Sequence, residues 1–322
     1  LEIQLIPMPL DLATIRAAHD RIRPHIHRTP VLTSARLDSA AGAALFFKCE
    51  NFQKVGAFKA RGATNAVFSL TDAEAARGVA THSSGNHAAA LARAARLRGI
   101  PAYIVMPSNS AKPKVRAVEG YGGRITFCEP TAAAREETCA RLVAETGAAM
   151  IHPFTHFAVM AGQGTAVIEL LEDAPDLDIV LVPVGGGGLL CGTAIAAKTL
   201  RPGIRVIATE PAEASDAAQS FRAGHRIPVD HPHTIADGLR TSIGEPNFAL
   251  IRAHVDDVVT VSEAGIVTAM RTIWETLKIV IEPSAAVPYA AILENKISLR
   301  GLRVGLILSG GNVDLDALPW MK

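Results

Sequence analysis

The sequence predicts an α/β protein built on parallel sheets with helices packed on both faces, and three observations carry that prediction. Short apolar runs rich in Val, Ile and Phe alternate along the chain with Ala-, Leu- and Arg-rich segments of helical period. Such alternation is the pattern of sheets covered on both sides. The most distinctive polar and glycine-rich turns fall directly after the strand-like runs, where ligands of open α/β sheets bind. With 322 residues, 49% of them apolar and 20% charged, the chain has material for one large unit or two lobes.

In chain order, the strand-like runs are 44–49 (ALFFKC), 78–82 (GVATH), 102–106 (AYIVM), 124–128 (RITFC), 149–152, 178–184 (DIVLVPV), 205–209 (RVIAT), 257–261 and 303–308 (RVGLIL). Helical segments between them include 86–98, 132–146 and 263–279. The longest charge-free stretch, 179–197, is interrupted by Pro183 and by Gly185 to Gly188, so it reads as strand, glycine turn and helix rather than a membrane span. The opening LEIQLIPMPL lacks the pattern of a signal peptide, and Met8 is a candidate natural start. Lys plus Arg number 32 against 31 Asp plus Glu, a formal net charge of +1, which points to neither nucleic acid nor an anionic membrane as partner. Cys49, Cys128, Cys139 and Cys191 have no metal-like spacing and read as core residues. A cytoplasmic protein is expected.

Four turns hold the candidate chemistry. In Asn51–Gly62, Lys59 follows an apolar Phe58 and opens a helix; the helix dipole and desolvation both lower an ammonium pKa and favour the neutral amine that imine chemistry requires. In His82-Ser83-Ser84-Gly85-Asn86-His87, a strand gives way to a helix whose free N–H groups suit a carboxylate or phosphate, although a simple helix cap would look similar. Gly185 to Gly188 lie between core elements, where glycines let the backbone approach an anion. Neither GxGxxG nor GxxxxGK[ST] is present, so a single phosphate monoester fits better than a dinucleotide or nucleoside triphosphate. Ser309-Gly310-Gly311-Asn312 forms the fourth turn, after VGLIL.

Together GAFKARGA, SSGNHAAAL, PVGGGGLL and SGGN resemble the fold-type-II pyridoxal-5′-phosphate (PLP) enzymes, in particular the serine/threonine dehydratase, serine racemase and threo-3-hydroxyaspartate dehydratase branch. The resemblance runs from about residue 10 to the end, with the motifs in family order. It implies a tryptophan synthase β-like fold of two open, mostly parallel sheets with PLP in the cleft between lobes. The large lobe would comprise 1–76 plus 153–322 and the small lobe 77–152, and the protein would be a homodimer. It further implies that Lys59 forms the cofactor imine, Phe58 packs beside the ring, and Asn86 bonds the ring hydroxyl. Gly185, Gly186, Gly187, Gly188 and Leu189 would cradle the phosphate, with Ser309 facing the pyridine nitrogen. Ser83, Ser84, Asn86 and His87 match the loop for the substrate α-carboxylate, and Ser84 matches the residue acting from the opposite face in racemases of this group.

The same resemblance assigns Glu210, the Ala214 carbonyl and Asp216 to a divalent-cation site, whose all-oxygen ligands suit Mg²⁺, Ca²⁺ or Mn²⁺. It matches Arg135 to an arginine that reaches a distal carboxylate. FFKCENFQ, YGGRITFCEP and NVDLDALPW lean toward hydroxyaspartate dehydratases, so 3-hydroxyaspartate is expected to be a better substrate than threonine. The stretch Ile151–Phe157 departs from the more usual HPFDDP pattern, and the last motif lies close to residue 322, so the regulatory domain of biosynthetic threonine deaminases is not expected. Three rivals are kept. A β-replacement synthase usually reads TSGNTG where this chain has SSGNH; a racemase would use Lys59 and Ser84 as its two bases; a non-catalytic PLP-binding protein would be expected to have lost a motif.

Overall fold

A computed structural model describes residues 10–83, 85–110, 112–229 and 232–321. The chain begins with α1 (Leu12–Ile22), β1 (Val31–Leu32), α2 (Ala35–Ala41) and β2 (Ala44–Cys49). It continues through α3 (Lys59–Ser69) and α4 (Asp72–Ala75) into β3 (Val79–His82), α5 (Asn86–Arg98), β4 (Ala102–Pro107), α6 (Lys112–Gly120), β5 (Arg124–Cys128), α7 (Ala132–Thr146) and β6 (Ala149–Met150). After α8 (Phe157–Asp173) come β7 (Ile179–Pro183), α9 (Gly188–Leu200), β8 (Arg205–Pro211), α10 (Asp216–Ala223), α11 (Glu245–His254), β9 (Asp257–Val261), α12 (Glu263–Leu277), α13 (Pro283–Leu293) and β10 (Arg303–Leu308).

These strands form two sheets. The six-stranded sheet runs β1-β2-β10-β7-β8-β9 and the four-stranded sheet β5-β4-β3-β6. Every pairing is parallel except β1 with β2. The fold class read from alternation is therefore the observed one. The large sheet is covered by one apolar layer including Ile15, Val167, Leu170, Leu190 and Ile195, and on its other face by Ile266, Met270, Ile273, Val287 and Ile292. Each such fully buried aliphatic side chain contributes about 1.5–3 kcal/mol.

Local signals set most helix ends. In α7 the Thr131 hydroxyl accepts the Ala134 N–H, and Gly147, at φ 67°, terminates the helix in the left-handed region. α12 stops at Leu277 rather than the expected 279 because Lys278 turns left-handed at φ 59°. The strand expected at 149–152 is only Ala149–Met150, freeing His152 and Pro153 from the sheet. The two-residue β1 had no signature of its own.

Glycine contacts bring α3, α8 and α9 together. A Cβ on Gly162 would lie 2.6 Å from the Gly62 Cα, and one on Gly192 would lie 2.2 Å from the Met160 carbonyl oxygen. Backbone meets backbone at both crossings, so no larger residue fits. α3, which begins at Lys59, is thereby fixed against the helices that follow β6 and the glycine turn.

Candidate active site

Lys59 is the first residue of α3, as its sequence context predicts. Its Nζ donates to the Pro153 carbonyl at 2.9 Å and lies 5.2 Å from the centroid of the Phe58 ring. Burial lowers its pKa to about 8, against an opposing pull from the Glu282 carboxylate. A fraction of the amine is therefore neutral near pH 7, whereas an ordinary lysine is almost wholly charged.

Ser309 and Gly310 lie beside it. The Phe58 N–H donates to the Ser309 carbonyl at 3.0 Å, and Ala57 bridges to Gly310. Ser309 is 3% exposed, and among the described residues its hydroxyl has no hydrogen-bond partner. The glycine turn closes the next side. Gly187 has φ 94°, and a Cβ on Gly186 would sit 2.3 Å from the Phe154 ring. Asn247 holds this turn from behind, its Nδ2 donating to the Gly186 and Phe154 carbonyls at 2.9 Å each. α9 starts at Gly188 without a side-chain cap, so its first N–H groups are left for an anion.

The loop after β3 supplies a second set of donors. α5 begins at Asn86 after Gly85, again with no side-chain cap. The N–H groups of Asn86 and His87 therefore have no acceptor within the helix. Ser83 borders the loop and accepts the Gly85 N–H at 3.3 Å. His87 is buried, its Nε2 3.2 Å from the Ile151 carbonyl, and burial holds its pKa well below the usual value, so it is neutral. Ser84 lies outside the described residues.

Sequence reasoning missed the residues that tie this loop across the cleft. The Asn86 amide donates to both Glu282 carboxylate oxygens, at 3.0 and 3.2 Å, and its oxygen accepts from Asn312 Nδ2 at 2.8 Å. Glu282 is 4% exposed, and burial followed by the charge of Asp237 raises its pKa to about 7. At the rim Lys114 pairs with Asp237. Glu282 left only a faint signal, a lone acid ahead of the apolar stretch 283–293. Lys59, Phe58, Ser83, Asn86, His87, the glycine turn and Ser309 thus face one cleft, from four turns at strand ends.

Arg135 stands apart on the small sheet's side. In the first turn of α7, its Nε donates to the Thr131 carbonyl at 3.3 Å. Among the described residues no carboxylate pairs with it. Glu210, Ala214 and Asp216 lie elsewhere, where β8 runs into α10. Both carboxylates are enclosed, Glu210 and Asp216 each being 1% exposed. Glu210 accepts the Ala217 and Ala218 N–H groups at 2.9 and 3.0 Å, and Asp216 Oδ2 accepts that of Ile243 at 2.7 Å. Asp216 Oδ1 is buried with no partner among the described residues. Burial and then the neighbouring Asp216 raise the Glu210 pKa, and burial raises that of Asp216. Among the described residues no three His, Cys, Asp or Glu side chains gather around one point.

A half-desolvated lysine under an aromatic ring, opposite a glycine cradle with free N–H donors, defines an enzyme that binds a phosphorylated carbonyl cofactor. Comparison with known proteins specifies it. The profile of the pyridoxal-phosphate dependent enzymes matches residues 22–310, and the chain belongs to that family. It is 55% identical to the beta-hydroxyaspartate dehydratase of Paracoccus denitrificans over 94% of this chain and 96% of that one. It is 52% identical to the serine racemase of Arabidopsis thaliana, over 96% and 95%. The structure of maize serine racemase superposes with a TM-score of 0.94 at 49% identity, covering 97% of this chain and 96% of that one. No helix among the described residues is long and apolar enough to cross a membrane.

Proposed function

We propose that this protein eliminates water and ammonia from a β-hydroxy-α-amino acid, with 3-hydroxyaspartate preferred over serine and threonine. The observation that carries the preference is Arg135. A cation in the first turn of a helix sits at the unfavourable end of the dipole, and with no carboxylate paired to it among the described residues the guanidinium is left for an acidic group of the substrate. The similarity to a beta-hydroxyaspartate dehydratase points the same way.

The cleft fits PLP because the N–H groups of the glycine turn and the Ser309 hydroxyl have no partner among the described residues, and Lys59 and Asn86 stand beside them. The N–H groups from Gly185 to Leu189 would hold the phosphate, the Ser309 hydroxyl would meet the ring nitrogen, and Phe58 would flank the ring. When bound, PLP supplies an electron sink for the pair left at Cα after its proton departs. Lys59 Nζ, of which desolvation leaves a fraction neutral near pH 7, takes that proton. Ser83 and the N–H groups of Asn86 and His87 hold the α-carboxylate. Asn86, assigned by resemblance to the ring hydroxyl, is itself oriented by Glu282 and Asn312. Loss of the β-hydroxyl as water leaves an enamine, and its hydrolysis returns a water and gives the 2-keto acid and ammonia. The two sheets support a small lobe of 77–152 against a large lobe of 1–76 plus 153–322, and a homodimer is the expected assembly.

A divalent cation belongs to the same proposal. Glu210, Asp216 and the Ala214 carbonyl would hold it, since two adjoining buried carboxylates and an orphaned oxygen fit a hard cation. Racemisation of serine is the second reading, favoured by the similarity to serine racemases.

The test is keto-acid release by the PLP-loaded enzyme from L-serine, D-serine, L-threonine and the 3-hydroxyaspartate isomers, with enantiomer exchange followed in parallel. A higher kcat/KM for a 3-hydroxyaspartate than for threonine and serine is expected; the reverse order overturns the preference. Chelation is expected to lower both Tm and activity, and unchanged values would remove the cation from the proposal.

A further inference from the structure

β3 and β6 are parallel neighbours, with Val79 paired to Ala149 and Ala80 to Met150. Carrying that register two residues on brings His82 and His152 side by side at the carboxyl ends of the strands, and their rings lie 5.3 Å apart, edge to face. His82 leads directly into Ser83 of the substrate loop. His152 precedes Pro153, whose carbonyl accepts from Lys59 Nζ. The Lys59 charge acts on His152 and the Arg135 charge on His82, so the pair stands between the two cations, and none of the roles above uses it.

The two rings are not equivalent. His152 Nδ1 accepts the Thr155 N–H at 3.2 Å and the Phe154 N–H at 3.4 Å. A proton there would face two donors, so the hydrogen stays on Nε2 and His152 is a neutral donor. Burial, followed by His82, Lys59 and His156, lowers its pKa to about 4. His82 has neither ring nitrogen hydrogen-bonded among the described residues. Both of its nitrogens are free to donate once it is protonated.

We propose that His82 and His152 form, with Arg135, the subsite for the second carboxylate of a dicarboxylic substrate, and that His82 takes up one proton from solvent as that carboxylate binds. This rests on the 3-hydroxyaspartate reading above and adds to it two residues and a proton. The charges around the pair explain the coupling. Burial and then Arg135 disfavour the cation on His82, opposed by Glu136. His152 and His87, both neutral, face it as well, while Lys59 and His156 face His152. Without a ligand the surroundings are thus mostly cationic or neutral, and His82 remains neutral. A carboxylate arriving among these groups reverses the balance and raises the His82 pKa. Because that pKa is higher in the complex, affinity for the dicarboxylate falls as pH rises between the free and bound values.

The experiment is the ratio of kcat/KM for 3-hydroxyaspartate to that for L-serine, measured on the PLP-loaded enzyme from about pH 6 to about pH 8. Taking the ratio cancels titration of Lys59 and of the substrate amine. In the wild type it should fall by up to about tenfold per pH unit, the signature of one proton. His82→Asn should lower the ratio and flatten its pH dependence; His152→Asn should lower the ratio but keep the slope. A wild-type enzyme that does not prefer 3-hydroxyaspartate overturns the substrate reading and this subsite with it. A wild type with the preference but a pH-independent ratio overturns the inference alone, as does a His82→Asn enzyme that retains the slope. The wild-type slope decides even where a variant fails to fold.

Discussion

The two faces of α3 treat charge in opposite ways. Arg61, two residues after Lys59, points away from the cleft and is 0% exposed. It donates to both Glu50 oxygens at 2.7 and 2.8 Å and to both Glu169 oxygens at 2.8 and 2.7 Å. Lys48 completes the cluster with a 2.6 Å bond to Glu169. Burial alone would raise the Glu169 pKa, but His19, Arg61 and Lys48 together pull it below the usual carboxylate range. On the cleft side, Lys59 meets a carbonyl oxygen, His82 meets no hydrogen-bond partner among the described residues, and the helix N-termini at Asn86 and Gly188 are uncapped. Charges compensated within the protein hold a fold together; those left uncompensated are available to a ligand. The contrast distinguishes buried polar groups of similar chemistry by their partners.

The largest effect should come from breaking the compensated side. Arg61→Met leaves Glu50 and Glu169 buried without their principal cation and is expected to destabilise the protein by about 3–5 kcal/mol, read from denaturant unfolding. A loss below about 1 kcal/mol would mean that the cluster does not anchor α3. Lys59→Ala is the reverse case. It should lower kcat/KM by about 10⁴-fold, while the unfolding midpoint of the PLP-free chain stays level or rises because a desolvated amine has been removed.

Smaller effects probe the rest of the cleft. Gly186→Ala forces a methyl against the Phe154 ring, and overpacking of this kind costs about 1–3 kcal/mol. It should weaken PLP binding by tenfold or more (about 1.4 kcal/mol), measured by cofactor titration. The smallest expected change concerns the pH dependence of PLP loading. The rate should rise with pH as the Lys59 amine loses its proton, with a midpoint near the amine's value of about 8. Glu282 favours the charged amine, so Glu282→Gln should move that midpoint downward, and an upward shift would contradict the assigned coupling.

Much of this was legible in the sequence for a local reason. Strand and helix periodicity depends on neighbours a few residues apart, so α5 and α7 have the expected limits, 86–98 and 132–146. The four turns were legible because glycine runs and cap residues express constraints on their own backbone, and Lys59 was placed at a helix start by the residues around it. Two things only the tertiary structure decided. Compensation was one: Arg61 and Glu169 are 108 residues apart, Asn86 and Glu282 196 apart, and no local pattern shows which charges will meet. Burial was the other: the residues around Glu210 and Asp216 do not show whether these acids meet solvent, and packing encloses both. His82 and His152 combine the two, since each looks unremarkable alone and only the parallel register of β3 and β6 sets their rings together. Local patterns specify which elements form. Which charges find partners depends on how distant segments pack, because desolvation and Coulomb energies are fixed only once that packing exists.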